Sequence, residues 1–376
     1  MHHHMAYRQN CSLAAASLRR ESSVELLLQA AVSCWRSSDY EVLGDALRGI
    51  AATNKAQCSG AGALWNLGPG RCTCTLVDVG LNDGGTLLQW PKTAAAVLAR
   101  RGGAEDQRLS KSLRQCVATP AETCYTGFEM QARYTVGLRE QERSHRRAGG
   151  RVQLFTETAF STSSNPVEAY VDPLGGGTGT SLVGDVKRTY RWKDAQGKGH
   201  RLNSDEPLGS NFTRTHSSLP AVVQTYLQQP VVRTAVAAID AGNFLCEATA
   251  RSDFVAIKLD VEAFEFSLLP SLILKHPAEL ARLPLLAAEW HESSLVGERR
   301  QQVPVGAPKR RSRGYSAAPS STPPSLIGCE GRMTAVLVNA FKRSLYTGSA
   351  DSHPLKPSKG LGPLNFIAPN QIHHAA

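Results

Sequence analysis

The chain has 376 residues, 41% of them hydrophobic, enough for one large α/β domain or two smaller ones with a real core. No apolar run approaches the roughly 18 to 20 residues of a membrane span, and nothing near the start is composed like a signal peptide, so a soluble chain without a membrane span is expected, its compartment open. The formal charge of +10 raises nucleic acid or an acidic surface as a partner, yet there is no RNA-binding sheet motif and no zinc-finger spacing, and nucleic acid is not the expected partner.

In chain order, Val24 to Trp35 and Tyr40 to Ile50 space apolar residues three and four apart, which predicts two helices packed on the core within an N-terminal extension, 1–70. Cys74 to Trp90 then reads as a buried strand that ends at Asp78, passes through Gly80, Gly84 and Gly85, and resumes as a helix whose N-terminal N–H groups face the turn. The glycine spacing is neither G-x-G-x-x-G nor G-x-x-x-x-G-K-[ST], which removes specific support for a nicotinamide cofactor or a P-loop. Leu87 to Arg101 continues as helix and stops at Gly102-Gly103.

Cys124 to Glu129 is a short strand about one βαβ unit after Asp78, which puts Glu129 at the tip of the neighbouring parallel strand. An acid there suits the ribose hydroxyls of an adenosine-bearing cofactor. Arg133 to Arg147 has helical spacing, and the alternation of arginines with Glu140 and Glu142 predicts a solvated face. Val152 to Phe160 is the third strand and Glu168 to Asp172 a short fourth. Gly175 to Ser181 is a glycine-rich loop without a phosphate-binding lysine, and 185–220 is a polar insertion or hairpin.

Asp253 to Phe266 is again an apolar strand ending in acids, with a helix from Phe264 to Leu274, so Asp260, Glu262 and Glu265 gather at a C-terminal strand edge, where open α/β sheets bind ligands. Leu285 to Glu289 is a further strand, tipped by Glu289-Trp290-His291-Glu292. A core domain therefore spans 71–298. The basic stretch 299–325 is low-complexity, 326–346 returns to the core, and 347–376 is expected as a loose tail.

Nine cysteines are scattered from Cys11 to Cys329. Cys72-x-Cys74 has no second pair that would complete a zinc site, while Cys116 and Cys124 flank a Thr-Pro turn and are candidates for a disulfide. Asn10-Cys11-Ser12 and Asn211-Phe212-Thr213 are glycosylation triplets that matter only in a secreted protein.

Together, V-D-V-G-L-N-D-G at Val77 to Gly84, G-F-E at Gly127 to Glu129, K-L-D-V-E at Lys258 to Glu262 and E-W-H at Glu289 to His291 resemble, in order and spacing, the FkbM-type family of S-adenosylmethionine-dependent methyltransferases. The resemblance implies a class I methyltransferase fold of the Rossmann-like kind: a seven-stranded, mostly parallel sheet with helices on both faces. It implies that Asp78, Gly80, Asn82 and Gly84 hold the methionine half of S-adenosyl-L-methionine, that Glu129 takes the ribose hydroxyls, and that Thr158, Ala159 and Phe160 line the adenine. Asp260 and Glu262 fall at the mouth between cofactor and acceptor. The sequence departs from the family at Leu81, where D-x-G-A-N has a small alanine, and at Ala263-Phe264, where D-x-E-G-A-E has Gly-Ala.

The expected activity is O-methyl transfer to a hydroxyl of a sugar or other small polar acceptor, an acceptor class that comes from the resemblance alone. His291 is the preferred general base because its ordinary pKa suits neutral pH, with Asp260 and Glu262 as rivals, and no metal is required, although the nearby carboxylates could hold one. The competing expectation is a catalytically silent module of the same fold that serves in binding or interaction.

Overall fold

The computed structural model describes residues 2–37, 40–53, 67, 70–172, 180–184, 187–193, 196–207, 220–288 and 365–367. Helices α1 (His2–Arg20), α2 (Val24–Ser37) and α3 (Tyr40–Thr53) precede strand β1 (Cys72–Val79). Helices α4 (Trp90–Arg101) and α5 (Ala104–Ala118) lead to β2 (Thr123–Glu129), and α6 (Thr135–Arg147) leads to β3 (Arg151–Thr156). Strands β4 (Thr158–Ser161), β5 (Val167–Val171) and β6 (Thr180–Ser181) follow, then the strands β7 (Lys187–Lys193) and β8 (Gly199–Pro207), helix α7 (Ala221–Gln228) and β9 (Val232–Asp240). The chain continues through α8 (Ala241–Arg251), β10 (Ser252–Leu259), α9 (Glu265–Lys275), α10 (Pro277–Ala281), β11 (Leu285–Ala288) and β12 (Asn365–Ile367).

The main sheet runs β12-β11-β10-β1-β2-β3, and every neighbouring pair in it is parallel. Parallel strands are covered on both faces, which is why β1 and β10 read as nearly continuous apolar runs. Alternation sorts their side chains. Cys74, Leu76, Phe254 and Ala256 pack with Ala94 and Leu98 of α4, Leu109 and Leu113 of α5 and Leu138 of α6. Val77, Val79, Val255 and Ile257 pack with Phe244 of α8 and Leu268 and Leu272 of α9, and Leu18, Leu27 and Leu43 of α1 to α3 join the same core. A smaller sheet, β4-β9-β5-β6, lies beside the main one, and β7 pairs with β8 as an antiparallel hairpin within the polar 185–220 segment.

Four expectations change. Among the described residues the main sheet has six strands rather than seven. Val152 to Phe160 is two strands, because Glu157 adopts φ +55° and turns the chain out of the main sheet into β4. The tail expected to be loose supplies β12, whose Leu285↔Asn365 register extends the sheet beyond β11. Cys116 and Cys124 do not pair with each other: Cys116 lies on α5, packed in the core that carries Cys74, and forms Cys74–Cys116, while Cys124 forms Cys72–Cys124; Cys11–Cys34 joins α1 to α2. The stretches 299–325 and 326–346, the loop Gly175 to Gly179 and the triplet Asn211-Phe212-Thr213 lie outside the described residues.

The arginine-rich face of α6 is only in part a solvated surface. Arg143 and Arg147 pair with exposed Glu140, but Glu142 is buried and receives Arg139 and Arg146. Arg139 Nη1 donates to the Leu154 carbonyl at 3.3 Å and Arg146 Nε to the Val152 carbonyl at 2.7 Å. Among the described residues β3 is an edge of the sheet, and these guanidinium groups occupy backbone acceptors that would otherwise invite another strand.

Leu81, the larger residue at the alanine position, is fully buried and points into the core. Its isobutyl group occupies the space that Gly127 on β2 leaves by lacking a Cβ. Gly127→Ala is therefore expected to destabilise the fold by about 1–3 kcal/mol through overpacking. In chemical denaturation, Leu81→Ala/Gly127→Ala should cost less than the sum of the two single changes, because the pair shares one space.

Candidate functional site

The strand order reverses direction between β1 and β10, since the chain builds outward through β2 and β3 on one side and through β11 and β12 on the other. Open α/β sheets leave a crevice at the carboxyl ends of the strands at such a point. The tip of β1 is fixed there by its own backbone. Val79 O accepts from Asp260 N at 2.9 Å, Phe128 O accepts from Gly80 N at 3.0 Å and from Leu81 N at 3.1 Å. Gly80 has φ +88°, and a Cβ on it would collide with the Asp260 carbonyl, so this crossing needs glycine for both conformation and space.

A cleft opens over these tips, holding about 510 Å³ of empty space counting its open mouth. Gly80 and Asn82 just after β1, Glu129 at the end of β2 and Gln131 just after it, Thr158 and Phe160 from β4, and Asp260 and Glu262 just after β10 line it, with Thr180 and Leu182 beside them. Glu129 is held from both sides: Oε2 accepts from Asn82 N at 2.7 Å and Oε1 from Gln131 N at 2.7 Å. Burial pushes its carboxyl above the ordinary range, and these backbone donors oppose the rise.

Three carboxylates, Glu129, Asp260 and Glu262, line the cleft, while its described lining includes no lysine, arginine or histidine. A buried cationic group lies beneath. Lys258 is buried in register with Asp78 across β1 and β10, and its Nζ donates to Asp78 Oδ1 at 3.1 Å and to Asp260 Oδ2 at 3.3 Å. Thr86 donates its hydroxyl to the other Asp78 oxygen at 2.6 Å. Burial alone would lower the lysine; Asp78 and then Asp260 more than offset it, so the ammonium is held above its ordinary range.

Of the residues expected at the site, Gly80, Asn82, Glu129, Thr158, Asp260 and Glu262 come together in the cleft. Three expected there do not line it. Asp78 is fully buried, with its oxygens engaged by Lys258 and Thr86, so it is an internal brace. Gly84, at φ +83°, packs against Gln141 and Leu138 of α6. Ala159 alternates away from Thr158 and Phe160 and packs with Ala169 and Val236 of the smaller sheet. The expected helix N-terminus over the turn is also displaced: α4 begins only at Trp90, and the amides of Gly80, Leu81 and Asn82 are bonded to β2. Glu265 is buried at the start of α9, and His291 lies outside the described residues.

Lys258, Thr86, Gln131 and Leu182 were not anticipated. Lys258 had a readable signal, since it lies on β10 two residues before Asp260, which follows the strand end; its pairing with Asp78 needs the register of β1 against β10, which no local pattern supplies. At the other departure, Ala263 keeps the left-handed turn at φ +74° without glycine, a backbone strain of about 1–3 kcal/mol.

Comparison with protein families, with characterised proteins and with solved structures finds no match for this chain. What the fold defines is an α/β protein whose all-parallel main sheet is flanked by helices, an architecture compatible with the Rossmann-like class. Among the described residues no helix is long and apolar enough to cross a membrane.

Removing Lys258 would leave the buried Asp78 carboxylate without its cation. Lys258→Met is expected to cost about 3–5 kcal/mol of stability, and adding Asp78→Asn to recover part of that loss, as read from urea midpoints.

Proposed function

We propose that the chain is an S-adenosyl-L-methionine-dependent O-methyltransferase. The observation that carries the reading is the chemistry of the cleft: a tethered carboxylate at the tip of the second strand, apolar walls, and an excess of negative charge in the described lining. A dinucleotide or nucleoside triphosphate brings phosphates, which this lining would repel. An adenosyl sulfonium with a free amino group carries a net positive charge and a ribose diol, and the lining suits both.

Bound there, the cofactor supplies a methyl group on a positively charged sulfur. The protein's part is alignment and proton removal. Glu129 accepts the ribose hydroxyls: each oxygen already takes at least one backbone N–H, which orients the carboxylate and leaves acceptor capacity for the diol. Phe128, Met130, Thr158 and Phe160 form the wall for the purine, with Phe128 braced by Phe155 and Phe244. Gly80, Asn82 and Asp260 surround the amino-acid end. The acceptor, a hydroxyl of a sugar or other small polar molecule, enters by Asp260 and Glu262, and its proton goes to one of these carboxylates or to His291.

Glu129→Gln keeps the size of the side chain and removes its charge. It should weaken S-adenosylmethionine binding by about 1–3 kcal/mol, the worth of a charge-assisted hydrogen bond, in calorimetry on the folded variant. Unchanged affinity would reject the assignment. Tight binding of the cofactor by the wild type, with no methyl transfer to any hydroxyl acceptor, would instead support a silent binding module.

A further inference from the structure

The cleft's charge is set from below. Lys258 stands on β10 two residues before Asp260, on the same side of the strand, and level with Asp78 on β1. It spans two carboxylates of different standing: Asp78 is sealed in the core and also braced by Thr86, whereas Asp260 lines the cleft and is partly exposed. The array Thr86, Asp78, Lys258, Asp260 therefore runs from the loop after β1, through the core, to the cleft floor.

We propose that Lys258 is a positioning residue: anchored by Asp78, it fixes the direction of the Asp260 carboxylate and keeps it ionised, so that Asp260 presents a standing negative charge to a cationic ligand. The ligand class rests on the function proposed above; the action of Lys258 on Asp260 does not. The geometry gives two reasons. An ammonium tied to a fully buried carboxylate has little freedom to follow Asp260, so Asp260 must settle against it. Other carboxylates, Glu129 and Glu262, line the same cleft and Asp78 lies below, and each favours protonating Asp260, whereas the Lys258 ammonium within hydrogen-bond reach favours its charged form. Asp260 then serves as a fixed electrostatic partner, and proton removal falls to Glu262 or His291.

The test is a titration of aspartate side-chain carboxyls by carbon-13 NMR on the full chain, with the Asp260 signal assigned by its loss in Asp260→Asn. In the wild type Asp260 should titrate below the ordinary aspartate range. In Asp78→Asn/Lys258→Met, which removes one buried charge of each sign and keeps an acceptor for Thr86, it should titrate higher by about one pH unit or more, since the cation in hydrogen-bond contact outweighs the loss of Asp78. Lys258→Arg should keep it low. An Asp260 that titrates at or above the ordinary range in the wild type overturns the proposal even where the double variant does not fold, and an unmoved titration in a folded double variant overturns it as well. S-adenosylmethionine affinity followed toward acid pH supplies the second arm: the pH at which affinity falls should move upward in the double variant, a change that a uniform loss of packing does not produce. If the wild type does not bind S-adenosylmethionine, the functional reading fails while the NMR result still decides the role of Lys258.

Discussion

The end of β1 is clamped between its two neighbours by main-chain hydrogen bonds, and the placement of the cleft follows from that clamp. Asp260 N reaches back to Val79 O, while Gly80 and Leu81 both donate to Phe128 O. The strands on either side are thus brought so close at their tips that a single Cβ on Gly80 has no room. Three side chains from distant parts of the sequence, Asn82, Glu129 and Asp260, consequently meet over one crevice. The next amide, Asn82 N, bonds the Glu129 carboxylate itself, so the same turn that shapes the floor also orients the residue proposed for the ribose.

Charge is layered about that clamp. Lys258 and Asp78 oppose one another in the core, and the carboxylates that face the cleft lie above them. A buried ion pair seldom adds much net stability, because desolvation of both ions opposes the attraction. Its value here is better sought in the arrangement it imposes on Asp260 than in the strength of the fold. The two places where the sequence differs from the pattern it resembles fit the same scheme. Leu81 fills the space beneath the turn against Gly127, and Ala263 keeps a left-handed bend after the carboxylates, so neither removes the cleft lining.

Local pattern carried much of the fold. The apolar runs of β1, β2 and β10, with their acidic ends, are visible in Cys74 to Asp78, Cys124 to Glu129 and Asp253 to Asp260 because parallel strands covered on both faces must be nearly all apolar. The helical spacing of α2, α3 and α6 was equally plain. What escaped depends on geometry that no window of sequence holds. Glu157 breaks one apolar run into two strands by a single positive φ. Asn365 to Ile367 joins the sheet from far along the chain, and Cys116 meets Cys74 because α5 packs on β1 while Cys124 meets Cys72 across β1 and β2. At the site, strand ends were legible and side-chain direction was not: Asp78 looked like a ligand-facing acid because it sits near a tip, yet its register with Lys258 turns it into an interior brace.

The central claim is that the cleft takes a cationic adenosyl compound and rejects phosphate-bearing nucleotides. Calorimetric titration of the full chain with S-adenosylmethionine, NADH and ATP in parallel tests it most directly. Saturable binding of S-adenosylmethionine, with no detectable heat from the other two, is the predicted result. Binding of NADH or ATP while S-adenosylmethionine gives none would contradict the account.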